Sequence, residues 1–100
     1  MSEFVKSLRA RIADQEEQRM GDVYSECEKR GCSRYFAKSF CTRAELFPMK
    51  QTLSFLENKP VNKEHLKQWE IFVQVLIEKK PEHEKCEEWK RSIKVLHNEL

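Results

Sequence analysis

The sequence predicts an all-α fold, a compact bundle of four to five helices in a single domain. Its 100 residues suffice for one hydrophobic core but not for two. Only two glycines and three prolines are present, too few turn residues for a β-sandwich or a β-barrel. Charged residues make up 36% of the chain, and the long side chains that favour helix dominate.

The helices predicted for the first half of the chain span about 3–20, 22–30 and 33–41. Ser2 suits the N-cap of the first helix, and four apolar residues follow it at helical spacing: Phe4, Val5, Leu8 and Ile12. Gly21 and Asp22 predict a break between the first two helices. A continuous helix through Gly21 is a close alternative, because one glycine costs only about 1 kcal/mol in a helix interior.

The helices predicted for the second half span about 48–57, 62–79 and 81–98. Pro48 suits a first helical position, and Asn62 suits an N-cap. The helix at 62–79 is apolar on two sides, because Ile71 and Val75 lie on a stripe of their own. This pattern is typical of a central helix packed by neighbours on both sides. Pro81 is expected to end that helix and to begin the last one, and the two should form an antiparallel hairpin.

Four cysteines, Cys27, Cys32, Cys41 and Cys86, are expected to be free thiols in or beside the core. Disulfide frameworks are typical of secreted chains, and the N-terminal residues show no export signal. The expected location is therefore intracellular, in the reducing cytoplasm or nucleus. Zinc is a less favoured alternative, with Cys27, Cys32 and Cys41 as candidate ligands, because the chain lacks the tight C-x2-C pairs typical of structural zinc sites. No cofactor is expected.

The uneven feature of the sequence is the charge of segment 29–43, named here the basic segment. It contains five basic residues and no acid: Lys29, Arg30, Arg34, Lys38 and Arg43. If 33–41 is a helix, Arg34 and Lys38 share a face with Cys41, and we expect that basic stripe to face water. Phe36 and Phe40 lie on the opposite face and should anchor the segment to the core. Neighbouring cations would lower the pKa of the Cys41 thiol and make it reactive.

No catalytic arrangement is recognisable, so the sequence predicts that the protein is not an enzyme. Two glycines cannot build a phosphate-binding loop, and the histidines lack zinc-protease spacing. The predicted function is a small protein-interaction module, a regulator or adaptor that uses the basic segment to bind a larger protein partner with an acidic surface. The alternative is a nucleic-acid-binding accessory protein that uses the same residues on phosphates.

The sequence leaves the oligomeric state open between a monomer and a homodimer. In a homodimer, Ile71 and Val75 would pack across a two-fold axis. Membrane association is not expected, because the chain has no apolar run of about 18 residues.

Overall fold

The computed structural model describes the backbone of residues 3–99 and the side chains of residues 15–99. Within that range the chain forms five α-helices and no strand: α1 Glu3–Arg30, α2 Arg34–Leu46, α3 Pro48–Glu57, α4 Lys63–Lys79 and α5 Cys86–Glu99. The all-α prediction is confirmed. The predicted apolar stripe at 4–12 lies outside the residues whose side chains are described.

Helix α1 runs through Gly21, so the predicted break between 20 and 22 was wrong. The residues that α1 buries lie on both sides of the glycine at helical spacing: Met20, Val23, Tyr24 and Cys27. Only a continuous helix places all four on the same face. Burying side chains of this size stabilises the fold by more than the roughly 1 kcal/mol that a helical glycine costs.

A Schellman turn ends α1 at Gly31. The amide of Gly31 donates to the carbonyl of Glu28, and the amide of Cys32 donates to the carbonyl of Cys27 over 2.8 Å. Gly31 has a φ of 101°, in the left-handed region that favours glycine. The chain then reverses within three residues, and Ser33 caps α2 by accepting a hydrogen bond from the amide of Phe36.

Helix α2 ends at Leu46, five residues beyond the predicted end at residue 41. The extra turn continues the buried stripe of the helix, because Ala44 is fully buried one turn after Cys41. The carbonyl of Ala44 also accepts a 2.8 Å hydrogen bond from the indole of Trp89 on α5. Tertiary packing thus extends the helix past its predicted end.

The predictions for α3 and α4 are confirmed. Pro48 is the first residue of α3, and Asn62 caps α4 by accepting a hydrogen bond from the amide of His65. Helix α4 packs against the other four helices, as expected of a central helix. His97, near the end of α5, lies 3.0 Å from Glu70 in the first half of α4, so these two helices run antiparallel.

Helix α5 begins at Cys86, so the predicted start at Pro81 was wrong. Residues 81–85 form turns that the His83 side chain stabilises. Its Nδ1 atom accepts a hydrogen bond from the amide of Lys85, and its ring stacks on Trp89 at 4.7 Å. These contacts hold the five residues outside the helix.

Aromatic side chains make up much of the core, in which both tryptophans and Phe72 are fully buried. Phe36 is buried, and Phe40 and Phe55 pack beside it and against Trp69. The predicted anchoring of α2 by Phe36 and Phe40 is confirmed. The indole of Trp69 donates a 2.8 Å hydrogen bond to the Thr52 hydroxyl, so its buried N–H group has a partner.

Candidate protein-binding surface

Arg30 of the basic segment is held by acids from two helices. Its guanidinium donates two hydrogen bonds, of 2.6 and 2.9 Å, to the carboxylate of Glu78 on α4. Glu26, one turn earlier on α1, lies 3.8 Å away. The bidentate bond holds the pKa of Glu78 below its ordinary value. The Arg30 side chain therefore forms part of the contact between α1 and α4.

Arg34 and Lys38 are held in the same way by α1. Arg34 forms ion pairs with Glu17 and, at 2.8 Å, with Glu28, while Lys38 lies 3.4 Å from Glu17. Both cations also lie over the ring of Tyr24, at 5.5 and 5.9 Å from its centre. The stripe does face solvent, since Lys38 is exposed and Arg34 is partly exposed, but acids from another helix neutralise its charges.

Two members of the basic segment form no ion pair in the described part of the chain. Lys29 is exposed near the end of α1. Arg43 is exposed near the end of α2, where it donates a 3.2 Å hydrogen bond to Gln51 and lies over the ring of Phe40. The basic segment therefore does not form one free cationic face.

The exposed large apolar side chains among residues 15–99 are confined to two consecutive helices and the residue between them. They are Tyr35, Leu46, Phe47 and Leu53, with exposed fractions of 83%, 57%, 43% and 43%. All four lie on α2, on α3 or at the single residue that joins these helices. Large apolar side chains concentrated in one exposed region are typical of protein-binding surfaces.

Helix α2 exposes a stripe without charge between its two apolar ends. Tyr35, Ser39, Thr42 and Leu46 are all exposed, and their spacing of four, three and four places them on one face. That face lies opposite the buried Ala37, Cys41 and Ala44. In a chain of which 36% is charged, an uncharged exposed face of four residues is unusual.

Cations flank the apolar residues where α2 meets α3. Lys50 lies over the ring of Phe47 at 5.8 Å, and neither Lys50 nor Arg43 has an ion-pair partner among the described side chains. A cavity of about 280 Å³ opens between Arg43, Phe47, Lys50, Gln51 and Ser54. We name this whole region the α2–α3 surface and define it by eight residues: Tyr35, Ser39, Thr42, Arg43, Leu46, Phe47, Lys50 and Leu53.

The single acid between residues 31 and 56 is Glu45, and it is engaged elsewhere. Its carboxylate accepts a 2.7 Å hydrogen bond from Arg19 and a 3.2 Å bond from the Cys41 thiol, and His83 lies 3.6 Å away. Although burial favours the neutral acid, the hydrogen bonds from Arg19 and Cys41 lower the pKa of Glu45. The α2–α3 surface therefore combines apolar groups with an excess of positive charge.

The cysteines are free and buried, as predicted. Cys27 and Cys32 lie together at the end of α1, but Cys41 lies beside Glu45 instead. Within residues 15–99, no three His, Cys, Asp or Glu side chains are grouped for metal binding. Burial raises the pKa of the Cys41 thiol from 9.0 to about 11, so the expectation of an activated thiol there was wrong.

The structure also corrects the proposed homodimer contact. Val75 is fully buried within the chain and has no surface left for a second copy. Ile71 is half-buried and packs beside Gly31 at the end of α1. The second apolar stripe of α4 thus faces the chain's own first helix.

Sequence reasoning missed the apolar half of the α2–α3 surface. The signal was present, because positions 35, 39, 42 and 46 share one helical face and carry no charge. The shared face can be recognised only if the helix continues to residue 46, whereas the predicted helix ended at 41.

Among residues 3–99, no helix combines the length and the hydrophobicity that a membrane crossing requires. No protein-family model, curated protein or solved structure matches this chain.

Proposed function

We propose that this protein is a non-enzymatic interaction module, which binds an acidic and partly apolar segment of a larger protein through its α2–α3 surface. The observation that carries the proposal is the location of the exposed apolar residues. Tyr35, Leu46, Phe47 and Leu53 lie on two consecutive helices. Exposed aromatic and aliphatic side chains of this kind act as anchors in protein interfaces.

Charge supports an acidic partner. Arg43 and Lys50 flank the apolar groups, and Glu45 is turned toward Arg19 and His83. A partner carboxylate near Arg43 or Lys50 could pair with that cation, because no acid among the described side chains already pairs with it. Such complementary charges raise the association rate and orient the bound segment.

The distribution of free cations favours a protein partner over a phosphate backbone. A nucleic-acid interface needs several cations that are free to neutralise phosphates. Arg30, Arg34 and Lys38 already pair with acids of α1 and α4. The cations that remain at the α2–α3 surface lie among apolar side chains, which suit a peptide segment better than a duplex.

The test is affinity capture from untreated and from nuclease-treated cell extract with four versions of the tagged protein: the wild type, R43E/K50E, Y35A/L46S and K67E/K94E. The last is a matched control, because Lys67 and Lys94 are exposed on α4 and α5 and their reversal changes the net charge by the same amount. Thermal midpoints verify that all four are folded. A captured partner is then purified and its Kd measured for each variant.

We expect the wild type and K67E/K94E to bind the partner equally. R43E/K50E and Y35A/L46S should each weaken binding by at least about tenfold, because each removes one half of the surface. Equal binding by all four versions would show that the contact lies elsewhere on the molecule. Captured material that disappears after nuclease treatment would instead support the nucleic-acid alternative.

A further inference from the structure

Cys27 and Cys32 occupy the two ends of the Schellman turn that closes α1. The amide of Cys32 donates a 2.8 Å hydrogen bond to the carbonyl of Cys27. With standard bond lengths, this contact keeps the two Cα atoms within about 6.7 Å of each other. Disulfides join Cα atoms about 4.4–6.8 Å apart, so the backbone already holds the pair at disulfide range.

The two thiols also interact with each other. Both are free and have no exposed surface. A hydrogen bond with the Cys27 thiol lowers the pKa of Cys32. The same hydrogen bond, together with burial, raises the pKa of Cys27. Cys32 therefore loses its proton first and is the better nucleophile of the two.

We propose that Cys27 and Cys32 are a modification site, which forms a reversible intramolecular disulfide on reaction with a small-molecule disulfide of the glutathione type. The Cys32 thiolate attacks one sulfur of the small disulfide, whose S–S bond breaks and releases one thiol. Cys27 then attacks the sulfur of Cys32 and releases the second thiol. The two protein thiols are oxidised, the small disulfide is reduced, and both protein protons leave on the released thiols.

Access to the thiols requires only the turn to open. Gly31 and Ser33, which flank Cys32, are exposed, and the turn itself is closed by two backbone hydrogen bonds. Local opening at a helix end costs much less than global unfolding. Reclosing the turn returns Cys27 to the sulfur of Cys32, which favours the second step over hydrolysis or a second mixed disulfide.

The other two cysteines provide an internal comparison. Cys41 lies on α2 beside Glu45, and Cys86 begins α5. Burial raises the pKa of Cys41 to about 11, so little of the Cys41 thiol is ionised at neutral pH. In the folded protein, exchange should therefore occur at 27 and 32 first.

The test is oxidation of the folded wild-type chain in a buffer of oxidised and reduced glutathione, followed by acid quenching, alkylation and tryptic mapping. Trypsin cleaves after Lys29 and Arg30, which separates Cys27 from Cys32. The disulfide is therefore seen directly as fragments 20–29 and 31–34 joined together. The C41S/C86S variant repeats the measurement with only this pair of cysteines present. A sample in denaturant shows which disulfides form when the chain is unfolded.

We expect the 27–32 linkage to exceed any other cysteine pair by at least about tenfold in the folded wild type, and to disappear on adding reduced thiol. In the C27S variant, Cys32 should accumulate one glutathione as a mixed disulfide, because the second step is blocked. A folded sample with the same mixture of pairs as the denatured one would overturn the proposal. Full alkylation of both cysteines after oxidation would do the same.

Discussion

Arg34 on α2 and Glu17 on α1 form an ion pair across the corner between the two helices. Glu17 also lies 3.4 Å from Lys38, and Glu28 lies 2.8 Å from Arg34. The most basic part of the sequence is thus a contact between two helices. Acids of α1 neutralise Arg34 and Lys38, whereas Lys29 and Arg43 of the basic segment have no ion-pair partner among the described side chains.

The double charge reversal R34E/K38E should destabilise the protein. It places two new carboxylates beside Glu17 and Glu28, replacing attraction with repulsion at a partly exposed site. We expect a loss of about 1–2 kcal/mol in the free energy of unfolding, since exposed pairs are screened by solvent. The thermal midpoint should fall by about 5–10 °C, which a calorimetric scan measures.

Two further variants identify the cause of that loss. K67E/K94E, with the same change in net charge on α4 and α5, should leave the midpoint nearly unchanged. Adding E17K to R34E/K38E should recover part of the lost stability, because it restores attraction across the corner. An unchanged midpoint for R34E/K38E would mean that the pairs with Glu17 and Glu28 contribute nothing, and Arg34 would again be a candidate for partner binding.

Thr52→Val should cost about 1–3 kcal/mol of stability. The Thr52 hydroxyl accepts a 2.8 Å hydrogen bond from the indole of Trp69 and donates one to the carbonyl of Pro48. Valine has nearly the same shape but leaves the buried indole N–H without a partner. Urea unfolding measures the loss. Thr42→Val, at an exposed position, is the matched control, and equal effects at both sites would contradict the role of the hydrogen bond.

Glu88→Gln should weaken the attachment of α5 to α3. The Glu88 carboxylate accepts a 3.0 Å hydrogen bond from the amide of Met49, in the first turn of α3. A negative charge at a helix N-terminus is favourable, and charge-assisted hydrogen bonds are stronger than neutral ones. We expect a loss of about 1 kcal/mol by urea unfolding. The neighbouring Glu87→Gln, exposed on α5, should change stability by less than about 0.5 kcal/mol.

Cys41 should make the protein less stable in alkali. Burial raises the pKa of its thiol from 9.0 to about 11, so between these pH values the unfolded chain loses this proton while the folded chain keeps it. The unfolded state is then favoured, and stability falls as pH rises.

Comparing the wild type with Cys41→Ala isolates this contribution. Between pH 8 and pH 10, the wild type should lose about 1 kcal/mol more than the variant in urea unfolding. Identical pH dependence of the two proteins would show that the thiol ionises as easily in the fold as in the unfolded chain.

Local sequence patterns predicted much of the fold. The starts of α3 and α4 follow from Pro48 and Asn62, because caps depend on neighbouring residues alone. The end of α2 and the start of α5 did not follow. They depend on Trp89, whose indole donates to the carbonyl of Ala44 from another part of the chain and whose ring stacks on His83.

By itself the sequence determined the helical class, the central place of α4 and the core role of Phe36 and Phe40. These features follow from the spacing of apolar residues over a few helical turns, which is a local property of the chain. Only the tertiary structure decided which charges remain free and which apolar groups remain exposed. Arg30 meets its acid 48 residues away, and Arg34 meets Glu17 on another helix. An ion pair depends on distance in space, and spacing along the chain does not determine that distance.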